Sequence, residues 1–203
     1  DFASSLKLPK QMMPAALNAV NGSPYAIDIG HFCEDRYFVY VAGFGAFTEV
    51  SYLTPQDKKN LLGHQAYILE GVKDLSTLRP YQATVTADGE TFTGGFLFGA
   101  VTNATSVGGL MKLQEEQVVL DDGLFEVALV RQPKNPIQLQ AMLRALLQGI
   151  SDQEGGVLWF QTRRLKVSCE AELPWTLDGE YGGSPKDAEI VNDTRAVTII
   201  YGK

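Results

Sequence analysis

Short runs of alternating apolar and polar residues recur along this chain, and this period of two constrains its fold more than any other feature. Successive side chains of a β-strand point to opposite faces, so such a run buries one face and exposes the other. Gly- and Asp-rich turns separate the runs, which predicts a mainly β domain with a few helices, either a sandwich or a distorted barrel. The predicted strands are residues 25–32, 36–47, 81–101 (a hairpin with its turn at 87–90), 118–120, 124–131, 157–170, 188–191 and 196–201.

Two segments follow a helical period instead. Thr54 is a candidate N-cap with Pro55 at the first helical position, and Asn135 and Pro136 begin a second helix in the same way. Apolar residues recur three or four positions apart in both, which predicts that each helix packs one face on the core. A short helix is also expected at residues 2–6.

The composition suits one soluble globular domain of 203 residues, 45% of them hydrophobic and 20% charged. A net charge of −7 argues against a nucleic-acid-binding surface. No apolar run approaches the roughly 20 residues that cross a bilayer. Cys33 and Cys169 lie far apart and are expected to be reduced thiols of a cytosolic protein, and two separate histidines do not predict a zinc site.

Residues 175–183 read Trp-Thr-Leu-Asp-Gly-Glu-Tyr-Gly-Gly and place two carboxylates, Asp178 and Glu180, on either side of a glycine. One interpretation is an Asp-Gly hairpin turn beside a solvated glutamate. The other is catalytic, because carboxylates at the edge of a strand can take a proton from a substrate hydroxyl. An extended segment would place both side chains on one face, whereas a tight turn would separate them.

A second acidic segment, Leu120-Asp-Asp-Gly-Leu124, lies between two β-rich runs. It also has the composition of a hairpin turn. Adjacent carboxylates with nearby backbone carbonyls equally suit a hard cation such as Mg²⁺, which binds a few protein oxygens and keeps several waters. The spacing does not match an EF-hand loop.

The chain opens Asp-Phe-Ala-Ser-Ser-Leu-Lys-Leu-Pro. This segment resembles the second half of the GTxNDFAxxLxxP signature of the diacylglycerol kinase and sphingosine kinase-like lipid kinases. Residues 175–183 resemble the second acidic motif of that family, and residues 120–124 resemble its LDDGL motif. The resemblance covers essentially the whole chain. It implies a two-layer antiparallel β-sandwich, the C-terminal domain of the NAD kinase/diacylglycerol kinase-like fold.

The same resemblance implies a domain organisation. Residues 1–20 would be a remnant of the N-terminal catalytic-domain signature with a connector, residues 21–193 the β-sandwich, and residues 194–203 a strand that returns to the N-terminal domain. Nothing in the chain resembles the GGDGT segment of the family, and the Gly-rich residues 99–109 lack the spacing of a phosphate loop. We therefore expect the nucleotide-binding domain to be missing, and the chain alone to be inactive and without tight ATP binding.

The resemblance also implies roles for individual residues. Glu180 would be the general base, Asp178 a neighbouring acid, and Asp1 a third acid of the site; the roles of Asp178 and Glu180 could be reversed. The Asp122 side chain would bind a structural Mg²⁺ together with backbone carbonyls near Leu124 and Val119. The upstream carbonyl could lie as far back as residue 117.

The function that this family implies is ATP-dependent phosphorylation of diacylglycerol, or a related lipid, to phosphatidic acid. The expected cofactors are Mg²⁺ and ATP as phosphoryl donor. The expected location is cytoplasmic and peripheral at the inner face of the membrane, with no nucleic-acid partner and with a homodimer left open. Two alternatives remain at this point: a non-catalytic β-sandwich binding module, and a related kinase that acts on a sphingoid base or NAD.

Overall fold

The computed structural model describes residues 2–45, 79–107, 111–112, 118–148 and 155–201. The helices in these ranges are α1 (Phe2–Ser5), α2 (Met12–Asn21) and α3 (Pro136–Gln148). The strands are β1 (Ser23–Phe32), β2 (Arg36–Phe38), β3 (Val41–Gly45), β4 (Tyr81–Ala87), β5 (Glu90–Thr102), β6 (Ser106–Val107), β7 (Met111–Lys112), β8 (Phe125–Arg131), β9 (Val157–Thr162), β10 (Arg164–Cys169), β11 (Trp175–Leu177), β12 (Glu180–Gly183) and β13 (Asp187–Tyr201).

An 11-stranded sheet forms the body of the molecule, in the order β12-β11-β3-β5-β4-β10-β13-β1-β2, with β8 paired to β5 and β9 paired to β8. Strands β6 and β7 form a separate two-stranded sheet. Every described ladder is antiparallel. The predicted mainly β, antiparallel sandwich is confirmed.

The two longest strands change partners along their length. Strand β5 pairs first with β4 and then lies between β3 and β8, with a register shift between Phe96 and Phe98. Strand β13 pairs with β10 in its first half, and its final residues pair with the start of β1, past a register shift between Ile27 and Ile29. Bulges of this kind bend a strand and increase its twist. Each long strand therefore connects different parts of the fold.

Several local predictions are confirmed and others are corrected. The hairpin at residues 81–101 is present as β4 and β5, and α1 and α3 begin where expected. The two strands predicted at 188–191 and 196–201 are one continuous strand, β13, which extends into the residues expected to form a separate terminal strand. The strand predicted at 118–120 is wrong, because the Leu120 carbonyl accepts the Asp28 N–H outside any ladder. The helix predicted to begin at Thr54 lies outside the described residues.

The main core is built from alternating inward positions of nine strands. Trp175 is fully buried in it, with its ring 5.2 Å from that of Phe32 and 4.9 Å from that of Phe44. Burying a large apolar side chain contributes about 1.5–3 kcal/mol. The residues of this core with the largest side chains are Phe32, Phe38, Phe44, Phe96, Phe125 and Trp175.

A smaller core covers the opposite face of β8. Phe125 and Val127 of this strand face the main core, whereas Val130 packs with Met142 and Ala145 of α3. The alternation of β8 therefore separates two apolar layers, and α3 covers the second one, as its apolar stripe predicts.

Helix α2 is not among the sequence predictions, and none of its residues is buried. Both cysteines are free and half-buried. No helix in the described part of the chain is both long enough and apolar enough to cross a membrane.

Candidate active site

The first acidic segment forms a two-residue hairpin turn. Asp178 and Gly179 connect β11 to β12 with φ angles of 51° and 94°, and Leu177 pairs with Glu180 across the turn. Two positive φ angles are typical of a type I′ turn, which favours Asp-Gly because its backbone matches the twist of the flanking strands. The segment is thus a tight turn and not an extended strand.

The Asp178 carboxylate is bound by three backbone N–H groups. Its Oδ2 accepts from Val39 N at 2.8 Å, and its Oδ1 accepts from Tyr40 N at 2.8 Å and from Val41 N at 2.9 Å. The Asp178 N–H donates in turn to the Val41 carbonyl at 2.8 Å. This carboxylate therefore fixes the connection between β2 and β3 to the acidic turn.

Glu180 is in a different environment two residues later. It is exposed at the start of β12, and no group in the described part of the chain makes a hydrogen bond or an ion pair with its carboxylate. An exposed carboxylate without partners is available to accept a proton, whereas Asp178 is already occupied as an acceptor.

The second acidic segment is a loop that leads into β8. The Asp122 side chain is exposed, and its Oδ1 accepts from Leu124 N at 2.9 Å. Asp121 has other partners: Tyr25 Oη donates to its Oδ1 at 3.2 Å, and Arg195 Nη2 lies 3.3 Å from its Oδ2. Of the two adjacent carboxylates, Asp122 is the one free to face a ligand.

The donor chemistry of this loop fits Mg²⁺. Within the described residues, no group of three or more His, Cys, Asp or Glu side chains could hold a metal, so a site in this loop would use fewer than three such side chains, with backbone oxygens and water as the other ligands. The Leu124 carbonyl accepts from Asn192 Nδ2 at 3.4 Å, which leaves a lone pair, and Val119 is 44% exposed. Buried Asn103, which donates to the Leu120 carbonyl at 3.3 Å, has no hydrogen-bond partner for its Oδ1 among these residues.

The tertiary structure places the N-terminal segment against the second acidic segment. Leu6 is buried against Ile27 and Leu120, and Val39 packs against the same cluster. Since the Val39 N–H donates to Asp178, one residue links the apolar cluster to the acidic turn. A cleft of about 390 Å³ opens between the N-terminal segment and residues 118–120. Asp1 lies outside the described residues.

Several buried polar residues near this site were not predicted from the sequence, namely Asp28, Asn103, Glu126 and Asn192. The sequence offered no clear signal for Asp28, because a polar residue between two isoleucines of a strand has the pattern of an outward-facing position, whereas the structure buries it. Burial of a charged or amide group is costly unless it is hydrogen-bonded, so such a residue indicates a specific partner.

Glu126 illustrates the cost of such burial. It is 5% exposed, and Gln161 Nε2 donates to its Oε1 at 3.1 Å, while its Oε2 has no hydrogen-bond partner in the described part of the chain. Burial, together with a smaller effect of the negative charge of Asp122, raises the pKa of Glu126 from 4.5 to about 7, against the lowering effect of its hydrogen bonds. A proton on this carboxyl near neutral pH therefore depends on its burial.

Fold and site together define a β-sandwich domain with an acidic hairpin turn at residues 178–179 and an acidic loop at residues 120–124. The family described as the YegS C-terminal NAD kinase β-sandwich-like domain matches residues 41–200. The chain belongs to this family.

Two curated relatives show the extent of the similarity. The chain is 34% identical to a diacylglycerol kinase of Bacillus subtilis (strain 168) over 205 residues, which covers 100% of the chain and 66% of the relative. It is 33% identical to a probable lipid kinase YegS-like of Shewanella frigidimarina (strain NCIMB 400) over 185 residues, covering 89% of the chain and 57% of the relative. The chain thus spans less than two thirds of the length of either relative.

A solved structure supports the fold. The structure of a diacylglycerol kinase from Bacillus anthracis str. Sterne superposes with a TM-score of 0.68 at 17% identity, covering 100% of the chain and 63% of that protein. A second structure from the same organism gives a TM-score of 0.74 at 20% identity, with 100% and 65% covered.

Proposed function

We propose that this chain is the acceptor-side domain of an ATP-dependent lipid kinase that phosphorylates the hydroxyl of diacylglycerol to give phosphatidic acid. The observation that carries the proposal is the contrast between two carboxylates at one hairpin turn. Asp178, in the turn, is bound by three backbone N–H groups, whereas Glu180, directly after it, has no hydrogen bond or ion pair within the described residues. The names of the curated relatives support the same class of acceptor.

Glu180 acts as the general base in this proposal. Its carboxylate takes the proton of the acceptor hydroxyl while the hydroxyl oxygen forms a bond to the γ-phosphorus of ATP, and the bond from that phosphorus to the leaving ADP oxygen breaks. An alcohol is a weak nucleophile, so removal of its proton in the transition state promotes the transfer. Asp178 is a positioning residue, because its bonds to the backbone of residues 39–41 hold the turn in place.

Asp122, with the carbonyls near Leu124 and Val119, would hold Mg²⁺. When bound, a divalent cation offsets negative charge near the phosphoryl group and orders the water around the acids. The matched relatives are longer than this chain. We assign tight ATP binding to the region of such a protein that this chain does not cover. The lipid acceptor implies peripheral contact with the cytoplasmic face of the membrane.

The decisive variant is Glu180→Gln in the full-length protein. We expect turnover of diacylglycerol with labelled ATP to fall by about 100-fold or more, because general base catalysis contributes about 10²–10⁴-fold, while nucleotide affinity stays unchanged. The chain supplies a matched control, since Asp88-Gly89-Glu90 repeats the same tripeptide in the hairpin turn between β4 and β5, where Glu90 is also exposed.

Glu90→Gln should keep full turnover. Equal activity of the Glu180 and Glu90 variants would rule out Glu180 as the base. A panel of diacylglycerol, a sphingoid base and NAD tests the acceptor in the same assay. Phosphorylation of NAD alone would refute the lipid assignment.

A further inference from the structure

Asp28 is a fully buried carboxylate that the proposed chemistry does not use. It lies at the irregularity between β1 and β13, where Ile27 pairs with Val197 but Ile29 pairs with Asp193. One residue of β1 therefore faces three residues of β13. A bulge of this kind interrupts the ladder and leaves backbone groups that need other partners.

The Asp28 side chain supplies those partners. Its Oδ1 accepts from Arg195 N at 2.7 Å, at the centre of the bulge, where Arg195 has a φ of 54°. Its Oδ2 accepts from Gly123 N at 2.6 Å and from Asn192 Nδ2 at 3.3 Å. Hydrogen bonds to an ionised acceptor are shorter and stronger than those between neutral groups, which allows a buried carboxylate to be retained.

The backbone of Asp28 holds the other end of the acidic loop. Its N–H donates to the Leu120 carbonyl at 2.8 Å, and its own carbonyl accepts from Asn103 Nδ2 at 3.0 Å. Asn103 Nδ2 also donates to the Leu120 carbonyl at 3.3 Å. Asp28 therefore bonds residues 120 and 123, and Asp121 and Asp122 lie between them.

Further contacts fix the middle and the exit of the loop. Arg195 Nε donates to the Asp121 carbonyl at 3.3 Å, and its guanidinium pairs with the Asp121 carboxylate. Asn192 Nδ2, which contacts Asp28, also donates to the Leu124 carbonyl. Both Arg195 and Asn192 belong to β13, so the bulge and the loop are held by one network centred on Asp28.

We propose that Asp28 is a positioning residue that presents the Asp122 side chain and the loop carbonyls to a divalent cation. This inference rests on the proposed function, because it assigns the loop of residues 120–124 to cation binding. Asp28 itself touches neither cation nor substrate. Its carboxylate pre-organises the loop, as residues outside the first coordination sphere do in metal sites, where their loss lowers metal affinity by about 10- to 100-fold.

The test compares Mg²⁺ affinity in Asp28→Asn, Asn192→Ala and the unchanged full chain. Isothermal titration calorimetry gives the dissociation constant, and the electron paramagnetic resonance spectrum of Mn²⁺ gives an independent measure of the bound ion. We expect Asp28→Asn to raise the dissociation constant by about 10- to 100-fold and Asn192→Ala to raise it by a smaller factor. The control is Asp187→Asn, a carboxylate of β13 that accepts from Ser168 Oγ at 2.7 Å and should leave affinity unchanged.

Far-UV circular dichroism establishes that each variant is folded. If Asp28→Asn does not fold, the Mg²⁺ dissociation constant of Asn192→Ala tests the inference instead, because this variant lacks the amide that joins Asp28 to the loop exit. Folded variants that bind Mg²⁺ as tightly as the unchanged chain would overturn the inference. A chain without Mg²⁺ or Mn²⁺ binding would overturn it too, yet phosphorylation by the full-length protein would still support the proposed function. Conversely, an inactive full-length protein with Asp28-dependent Mg²⁺ binding would refute the proposed function alone.

Discussion

Replacing Asp178 with Asn separates the structural role of this residue from the catalytic role proposed for Glu180. The substitution keeps the size of the side chain, and Asn tolerates the positive φ of 51° at this position. Only the charge and one acceptor oxygen are lost. In either orientation of the amide, its NH₂ group replaces one of the two carboxylate oxygens. The backbone N–H groups that donate to that oxygen in the unchanged chain then face another donor.

The magnitude follows from the three bonds at 2.8–2.9 Å. The remaining oxygen can serve Tyr40 and Val41, so the bond to Val39 is lost outright. A hydrogen bond to a charged group contributes about 1.5–3 kcal/mol, and we take the lower figure because water can reach the exposed turn. Conversion of two charge-assisted bonds into neutral ones costs roughly 0.5 kcal/mol each. The expected loss is about 2.5 kcal/mol, or a fall of about 5–10 °C in Tm for a chain of this size.

Urea unfolding followed by the fluorescence of buried Trp175 measures this loss. Glu180→Gln is the control, and it should change stability by less than about 0.5 kcal/mol because no described group contacts its carboxylate. Equal urea midpoints for Asp178→Asn and the unchanged chain would refute the structural role. A large loss in Glu180→Gln would instead mean that its carboxylate has a structural partner.

Two further predictions concern stability. Burial raises the pKa of Glu126 from 4.5 to about 7. Between these two pH values the folded chain keeps a proton on Glu126 that the unfolded chain releases. The free energy of unfolding should therefore fall by about 3 kcal/mol as the pH rises from the lower to the higher value. Glu126→Gln should flatten that slope in urea titrations between about pH 5 and pH 8, and an unchanged slope would contradict the assignment. Gly30→Ala should cost about 1–3 kcal/mol by thermal unfolding, because its added Cβ would lie 2.0 Å from Phe38 Cε1; an unchanged Tm would show that Phe38 can move.

Much of the fold could be predicted because alternation reports which face of a strand is buried. Residues 125–131 alternate between the main core and the layer under α3, and the Asp-Gly pair at 88–89 marks the β4–β5 hairpin. Prediction failed where backbone groups bond outside a ladder. Residues 118–120 have the composition of a strand, yet the Leu120 carbonyl accepts from Asp28 N of β1, opposite the bulge in β13, and from the amide of Asn103, the residue after β5.

The site could be predicted only in part. The resemblance to the lipid kinase motifs indicated Asp122, Asp178 and Glu180, and their catalytic and metal-binding roles stay predictions. Asp28 could not be assigned, because the sequence shows only a carboxylate in an apolar strand. Its partners lie 95 and 167 residues away along the chain, so pairing within a local pattern cannot reveal them.

The two Asp-Gly-Glu tripeptides show what each level of structure decides. The Asp-Gly pair by itself favours a tight turn in both, and the structure shows one at each, since Asp88 and Asp178 have positive φ angles and each is followed by a glycine that also does. Only the tertiary structure gives them different partners: Asp88 accepts from Thr162 Oγ1 at 2.7 Å and from Arg163 N at 3.4 Å, whereas Asp178 accepts from the backbone of residues 39–41. Local backbone preference acts over neighbouring residues, but the partners of a carboxylate depend on which distant strand the fold brings beside it.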